Sequence, residues 1–549
     1  MDRKLNNKIY SDWIKSNRFT ETAKNHLKDL SISYIEENFK NEKMKFGTAG
    51  IRAKMGPGTL KINSITYQQM AHGFAQHIIN TYGEDASVII GHDNRMNANT
   101  YTMVCAKVLT SFGIKVFLFK NNELKATPIV SYMIIKMKLQ GGIIITASHN
   151  PKDYLGFKVY NSTGGQILPH EENSISDLMP SSNLIIFQDY KERPELIFYI
   201  DDEYVNDYFS DAKACLIKTD IEATKMFPVI FTAHHGTASY DMVTFLKSLN
   251  YLNVIPVTEQ CFPDSNFTNS PSSNPEDPSS FELSLKYAKK FNAKIMLAVD
   301  PDADRLAVAV LHDGVWKYLN GNEMGTIFVY YLLANKNFGA TPFVVSTFVS
   351  TYLIDKICKS YGAKIYRTPT GFKWLGAKIT EKLAAGENFV VAFEEAIGSL
   401  NSSINRDKDS FQAAALALEI FHEYSKKDMT LIDVLNNEIF PKFGYWAGET
   451  VSYLLSGNNW KSEMAKRFSL LCDAKIKYID NFKIRSTHFD KEANILEWDL
   501  GKNNWIKFRL SGTEPKFKIY FNLYGESKSD VDQTLSNAKK TLDYILKSI

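Results

Sequence analysis

A short aliphatic run that stops abruptly at a cluster of polar residues recurs along the chain: SVIIGHDNR (87–95), GGIIITASHNP (141–151), KIMLAVDPDADR (294–305) and NFVVAFEEAIGS (388–399). Runs of this kind predict strands buried on both faces. Helical patterning over 67–82, 281–291 and 412–425 lies between them. Strands alternating with helices predict α/β layers with largely parallel sheets. In such sheets ligands gather at strand ends, so the polar clusters are where chemistry is expected.

Polar or turn-rich sequence interrupts the alternation around 190–202, at 319–323 and at 442–448. A chain of 549 residues is too long for one core. The expected division is 1–202, 203–320, 321–444 and 445–549. The last part differs in kind: NILEWDLGKNNWIKFRLSGTEPKFKIYFNLYG (494–525) reads as successive strands joined by Gly/Asn turns, and 530–547 as a closing helix. That predicts an α+β module. The proline spacing of CFPDSNFTNSPSSNPEDPSS (261–280) suits an ordered surface loop better than a linker.

Composition changes this picture little. With 44% hydrophobic residues, 23% charged and a net charge of +3, nothing calls for a nucleic-acid partner. The longest apolar runs, such as 327–334, fall far short of the roughly 20 residues that span a bilayer. The polar start MDRKLNNKIYSDWIKSNRF lacks the apolar core of a secretory signal, so a cytoplasmic protein without a membrane partner is expected. Cys105, Cys215, Cys261, Cys358 and Cys472 are odd in number and contain no C-x-x-C pair, which argues for reduced thiols rather than a disulfide framework or a zinc site.

Three of the motifs carry chemistry. Asp300, Asp302 and Asp304 alternate just after a strand, an arrangement that a hard cation such as Mg²⁺ or Ca²⁺ would offset. An EF-hand is excluded, because Arg305 and Leu311 stand where its Gly and Glu should be and a hairpin pattern follows. A solvated acidic turn is the alternative. RLSGTEPKFKIY (509–520) joins Arg509, Ser511, Gly512, Thr513, Lys516 and Lys518 in the manner of a phosphate pocket, although a hairpin turn with basic flanks would read the same way. It is no Walker loop. Ser148 ends a strand beside His149, with Lys158 and the tight loop Gly164-Gly165-Gln166 downstream. It reads as a nucleophile or as a turn residue before Asn150-Pro151; no G-x-S-x-G elbow supports a hydrolase triad.

TASHNP, DPDADR, FEEAIG and SGTEPK, in that order and within a match from about residue 46 to 520, resemble the α-D-phosphohexomutase superfamily of phosphoglucomutases and phosphomannomutases. The resemblance implies three related mixed-sheet α/β domains plus a C-terminal α+β domain around a central cleft. It implies that Ser148 carries a phosphoryl group and that Asp300, Asp302 and Asp304, with the Ser148 phosphate, hold one Mg²⁺. Arg52, in KFGTAGIRAKMGPG, matches the arginine near the transferring phosphate; His149 and Lys373, in TPTGFKW, match positions that exchange protons with the sugar. Lys158 and His235, in HHGTA, carry over as cleft residues, His235 being equally readable as a core histidine.

By the same resemblance Glu394 and Glu395 read the sugar, and Arg509, Ser511, Gly512, Thr513 and Lys518 hold its distal phosphate. Ala396 stands where the more familiar forms have serine, and Lys518 replaces an arginine; both look most like the branch of phosphopentomutase and glucose-1,6-bisphosphate-related mutases. The implied activity is a Mg²⁺-dependent phosphosugar mutase, moving a phosphoryl group between positions 1 and 6 (or 5) through a phosphoserine and a sugar bisphosphate. A sugar 1,6-bisphosphate would be its activator and small phosphosugars its partners. A phosphopentomutase, a sugar-1,6-bisphosphate synthase, a phosphatase and a phosphosugar-binding protein without turnover are the alternatives.

Overall fold

The structure, a computed structural model, describes residues 6–218, 227–454, 460–473, 476–491, 493–510 and 516–548. The chain forms two compact units. The first holds the described residues up to Ala214, those from 227 to Leu306, and Ser402–Gln412; the second holds the others.

In the first unit, β1 (Ile51–Lys54), β2 (Ser87–His92), β3 (Lys115–Phe119), β4 (Gly141–Ile145), β5 (Tyr154–Asn161) and β6 (Ile197–Ile200) form one sheet in the order β1-β5-β4-β2-β3-β6. β2 runs parallel to β3 and β4, and β3 to β6, whereas β5 is antiparallel to β4 and β1. The sheet is therefore mixed. β4 is buried at every position, as its uninterrupted apolar sequence requires. The helix expected from residue 67 starts at Ser64, because Asn63 accepts the backbone N–H groups of Ile65 and Thr66 and so caps it. Its Tyr67, Phe74 and Ile78 join Val88, Ile90, Ile143 and Ile145 in the main core of this part.

The stretch 190–202, read from sequence as an interruption, contains β6. An edge strand needs only one covered neighbour, and Phe198 and Tyr199 are exposed, which hid the pattern. Helices Lys8–Lys15, Glu21–Lys28 and Ile32–Asn38 build a small separate core around Trp13 and Phe39. Still in this unit, β7 (Val229–Thr232) lies parallel to β8 (Val254–Pro256) and to β9 (Ile295–Val299).

Where the chain passes from Leu306 into the second unit, β10 (Leu306–His312) and β11 (Val315–Leu319) form a hairpin turning at Asp313-Gly314, both left-handed. β12 (Pro342–Thr347), β13 (Lys364–Thr368) and β14 (Asn388–Phe393) are parallel in the order β13-β12-β14, and the short β15 (Ser399–Leu400) is antiparallel to β14. The C-terminal module is a five-stranded antiparallel sheet in the order β16-β22-β21-β20-β19. Its strands are β16 (Tyr445–Leu454), β19 (Ser486–Asp490), β20 (Ile495–Gly501), β21 (Asn504–Leu510) and β22 (Lys516–Gly525); β17 (Tyr478–Ile479) and β18 (Phe482–Lys483) pair separately. The closing helix Lys528–Ser548 packs Leu542 into a core with Trp498 and Phe508. The α/β layers and the α+β module expected from the pattern are both present. Among the described residues no helix is long and apolar enough to cross a membrane.

Candidate active site

β4 delivers its chain into the loop that carries Ser148, which takes a left-handed conformation with φ 51°. Outside glycine that conformation is uncommon, and it persists only where the surroundings enforce it. Here they do. The Ser148 N–H donates to Thr146 Oγ1 at 2.8 Å, and Thr146 Oγ1 donates to Asp93 Oδ2 at 2.6 Å. The buried Ser148 hydroxyl donates to Asp300 Oδ2 at 2.7 Å and lies 3.2 Å from His149 Nδ1. Arg52, on β1, donates to Asn150 Oδ1 of the same loop at 2.9 Å.

Asp300, Asp302 and Asp304 follow β9 in a turn closed by the N–H groups of Asp304 and Arg305 on Asp300 Oδ1. All three are buried, with ligand oxygens within 4.8 Å of one another. The loop HHGTA supports this turn from below: Thr237 N–H donates to Pro301 O at 2.8 Å, and a Cβ on Gly236 would lie 2.4 Å from Pro301 Cα, so nothing larger than glycine fits. Lys158, expected to touch substrate, instead sets Nζ 2.6 Å from Asp302 Oδ2 and 3.0 Å from Asp304 Oδ2. Lys408 reaches Asp304 Oδ2 at 3.0 Å, and Thr127 Oγ1 donates to Asp302 Oδ2 at 3.0 Å.

Burial pushes the Asp300 carboxyl well above the ordinary carboxylate range, and repulsion from Asp304 and Asp302 adds to it. Burial acts the same way on its neighbours. There Lys158 outweighs it, joined at Asp304 by Lys408, and both carboxyls are held below their usual value. The lysines engage the Oδ2 atoms, while Asp302 Oδ1 and Asp304 Oδ1 are buried without a hydrogen-bond partner among the described residues. Buried acceptors left open in this way are costly unless something electropositive meets them. The hard-oxygen donor set fits a divalent cation, and this group could hold one.

His235 resolves as a structural residue: its Nδ1 bonds to Phe262 O at 3.0 Å, and its Nε2 accepts the Asn269 N–H at 3.2 Å. It pins the loop 261–280, whose Ser273 hydroxyl donates to His149 O at 3.2 Å. That loop, read as a surface feature, thus braces the serine. Two groups escaped the sequence reading. Arg95 and Asp93, in SVIIGHDNR, carried the same strand-end signal as the motifs singled out. Lys408 and Asp407, which accepts Tyr160 Oη at 2.6 Å and Gln166 Nε2 at 2.7 Å, follow no strand and gave no such signal.

In the second unit the C-terminal ends of β12, β13 and β14 lie side by side. Gly371 N–H, just before the helix Phe372–Ala384 that carries Lys373, donates to Glu394 Oε1 at 2.9 Å. Thr347 Oγ1 donates to Glu395 Oε2 at 3.1 Å. Burial, then Glu394, raises the Glu395 carboxyl, and Lys518 opposes them. Lys518 pairs across β21 and β22 with Arg509. Ser511, Gly512 and Thr513 lie outside the described residues.

Residues 43–184, 204–314 and 320–439 match the alpha/beta/alpha domains I, II and III of phosphoglucomutase/phosphomannomutase. The phosphomannomutase of Mycoplasmoides pirum is 43% identical over 542 residues, covering 98% of this chain and 99% of its own. The phosphoglucomutase of Staphylococcus saprophyticus is 31% identical over 516 residues, covering 89% and 92%. Fold, site and relatives together define a phosphosugar mutase, an intramolecular phosphotransferase of the α-D-phosphohexomutase superfamily. A solved phosphoglucomutase/phosphomannomutase family protein from Burkholderia thailandensis shares the fold, with a TM-score of 0.66 at 17% identity over 90% of this chain and 97% of that one. The chain belongs to the phosphoglucomutase/phosphomannomutase family, and its relatives do not favour the pentose alternative.

Proposed function

We propose that this enzyme interconverts hexose 1-phosphates and 6-phosphates through a phosphoryl group carried on Ser148. The observation that carries the reading is the Ser148 hydroxyl itself, held at a strand end 2.7 Å from Asp300 and 3.2 Å from the His149 ring. In the first half-reaction the P–O bond to Ser148 breaks as a P–O bond to a sugar hydroxyl forms, and in the second the sugar's other P–O bond breaks as the P–O bond to Ser148 forms again. His149 and Lys373 exchange the sugar hydroxyl proton, while the Ser148 oxygen gains a proton in the first half-reaction and gives it up in the second. The bisphosphorylated sugar then turns over and returns its other phosphate to Ser148.

Asp300, Asp302 and Asp304 would hold one Mg²⁺, which when bound neutralises charge on the phosphoryl group. Arg52, steadied by Asn150, serves the same phosphoryl, and Lys158 acts as counter-ion to the aspartates rather than as a sugar contact. Glu394 and Glu395 accept bonds from sugar hydroxyls; Arg509, Ser511, Gly512, Thr513 and Lys518 take the distal phosphate. The four expected segments, 1–202, 203–320, 321–444 and 445–549, would then supply the serine and metal loops, the sugar loop and the phosphate loop. The M. pirum and S. saprophyticus relatives, named for mannose and glucose, support a hexose substrate.

The test is intact-mass measurement of wild type and Ser148→Ala, beside assays on mannose 1-phosphate, glucose 1-phosphate and ribose 1-phosphate with and without glucose 1,6-bisphosphate. The expected result is a phosphoryl adduct that the variant lacks, with hexose turnover that depends on the serine and is stimulated by the bisphosphate. Turnover by Ser148→Ala, or release of free phosphate in place of isomerisation, would overturn the reading.

A further inference from the structure

Ser148 is held in a left-handed conformation, and the groups that hold it converge on one buried ion pair that touches neither its hydroxyl nor the aspartate turn's open oxygens. Arg95 Nη2 donates to Ser148 O at 2.6 Å and also to Asn150 O, while Nη1 donates to Pro151 O at 2.7 Å and Tyr154 O at 3.0 Å. Three carbonyls of the serine loop and one from the first residue of β5 thus turn inward onto a single guanidinium. Without a cation there, carbonyl oxygens pointing the same way would repel one another and stay unpaired in a buried space.

The guanidinium is fixed in turn. Its Nε faces Asp93 Oδ2 at 3.3 Å, the Arg95 N–H donates to Asp93 Oδ1 at 2.9 Å, and the Phe267 ring covers the guanidinium carbon at 5.1 Å from its centroid. Asp93 and Arg95 are 1% and 3% exposed, so this is a desolvated pair and not a surface contact. Asp93 Oδ2 also accepts Thr146 Oγ1, which accepts the Ser148 N–H. Both ends of the Ser148 peptide, the N–H by way of Thr146 and the C=O directly, therefore terminate on Asp93 and Arg95.

We infer that Arg95 and Asp93 form a positioning pair that keeps the Ser148 oxygen aimed at its phosphoryl partner through the whole cycle. The inference rests on the phosphoserine reading above. A planar fork with four Nη donors can serve four carbonyls while its charge faces a carboxylate; an ammonium with three donors cannot. The loop must present the same oxygen as donor in one half-reaction and acceptor in the other. A displacement of about 1 Å at such an oxygen costs on the order of a hundredfold in rate.

The test compares wild type, Arg95→Lys and Thr146→Val, following phosphoryl uptake by Ser148 from glucose 1,6-bisphosphate by intact mass, together with kcat and KM for glucose 1-phosphate and mannose 1-phosphate. Arg95→Lys should slow both uptake and kcat by roughly ten- to a hundredfold while KM stays within about twofold, because sugar binding is untouched. Thr146→Val, which severs only the N–H branch and swaps a hydroxyl for a methyl of equal size, should give a smaller loss of the same pattern. If Arg95→Lys fails to fold, Thr146→Val decides alone. Uptake at the wild-type rate in the folded variants, or a loss appearing mainly in KM, would overturn the inference and leave the phosphoserine reading intact. Absence of any adduct on wild-type Ser148 would instead sink the reading and the inference with it.

Discussion

Lys158→Met isolates the electrostatics of the aspartate turn. The Lys158 side chain is 1% exposed and bonds to Asp302 at 2.6 Å and Asp304 at 3.0 Å. Methionine keeps much of the stem's volume, so the change is mainly one of charge. Removing one partner of a buried pair costs about 3–5 kcal/mol, since the other is left uncompensated. Lys408 still faces Asp304, which places the expected loss toward the lower end of that range.

A divalent cation sharing these carboxylates with an ammonium suffers its repulsion. Two unit charges about 4 Å apart at an effective dielectric of about 20 interact by about 4 kcal/mol, and an ammonium with a divalent cation by about twice that, which bounds what the mutation can return to metal binding. Mg²⁺ should bind the variant at least about tenfold more tightly. The assay is thermal unfolding of the full chain followed by near-ultraviolet circular dichroism across a Mg²⁺ titration, with calorimetry for affinity. Lys158→Met should melt well below wild type without metal and recover much of the gap with it. An equal Mg²⁺-induced rise in both proteins would refute the idea that lysine and metal compete for one set of carboxylates.

His234 is buried with neither ring nitrogen bonded among the described residues, and burial, assisted by His235, lowers its pKa to about 3. A lowered histidine favours folding above its unfolded value of about 6.5 and loses that contribution as pH falls, by about 1.4 kcal/mol per unit down to about pH 3. Melting temperature against pH should therefore fall less steeply below about 6.5 in His234→Asn; parallel profiles would exclude the assignment. Gly325→Ala should lower stability and kcat/KM together, because its Cβ would lie 2.2 Å from the Phe393 ring, one residue before Glu394. Overpacking of about 1–3 kcal/mol outweighs the ~1 kcal/mol that alanine gains in a helix, and an unchanged melting temperature would show that the ring yields freely.

The strand-end grammar was legible because a buried parallel strand needs an unbroken apolar run and its termination needs polar residues, so Ser148, Asp300 and Glu394 announce themselves locally. The carboxylate cluster was legible for a related reason: alternate residues in a tight turn bring their side chains together whatever the rest of the fold does. Lys158 was legible as a residue of this region but its aspartate partners were not, since they lie about 145 residues away. Local pattern cannot choose between two acidic or phosphate groups at that separation. Arg95 was overlooked although it ends one of the quoted strands, because its ligands are backbone carbonyls and carbonyls leave no mark on side-chain identity. β6 was lost to an edge position that tolerates exposed aromatics.

Residues 402–412 belong to the first unit although the chain on both sides of them belongs to the second. Lys408, which faces Asp304 together with Lys158 and Arg305, is thus supplied from a point about a hundred residues further along. During synthesis at about 5–20 residues per second, the aspartate turn waits roughly 5–20 s for that ammonium to emerge. Over that interval the nascent turn has Lys158 and Arg305 but not Lys408 to offset three crowded carboxylates. The charge balance of the first unit's aspartate turn is therefore completed only by a segment that lies, in sequence, between two stretches of the second unit.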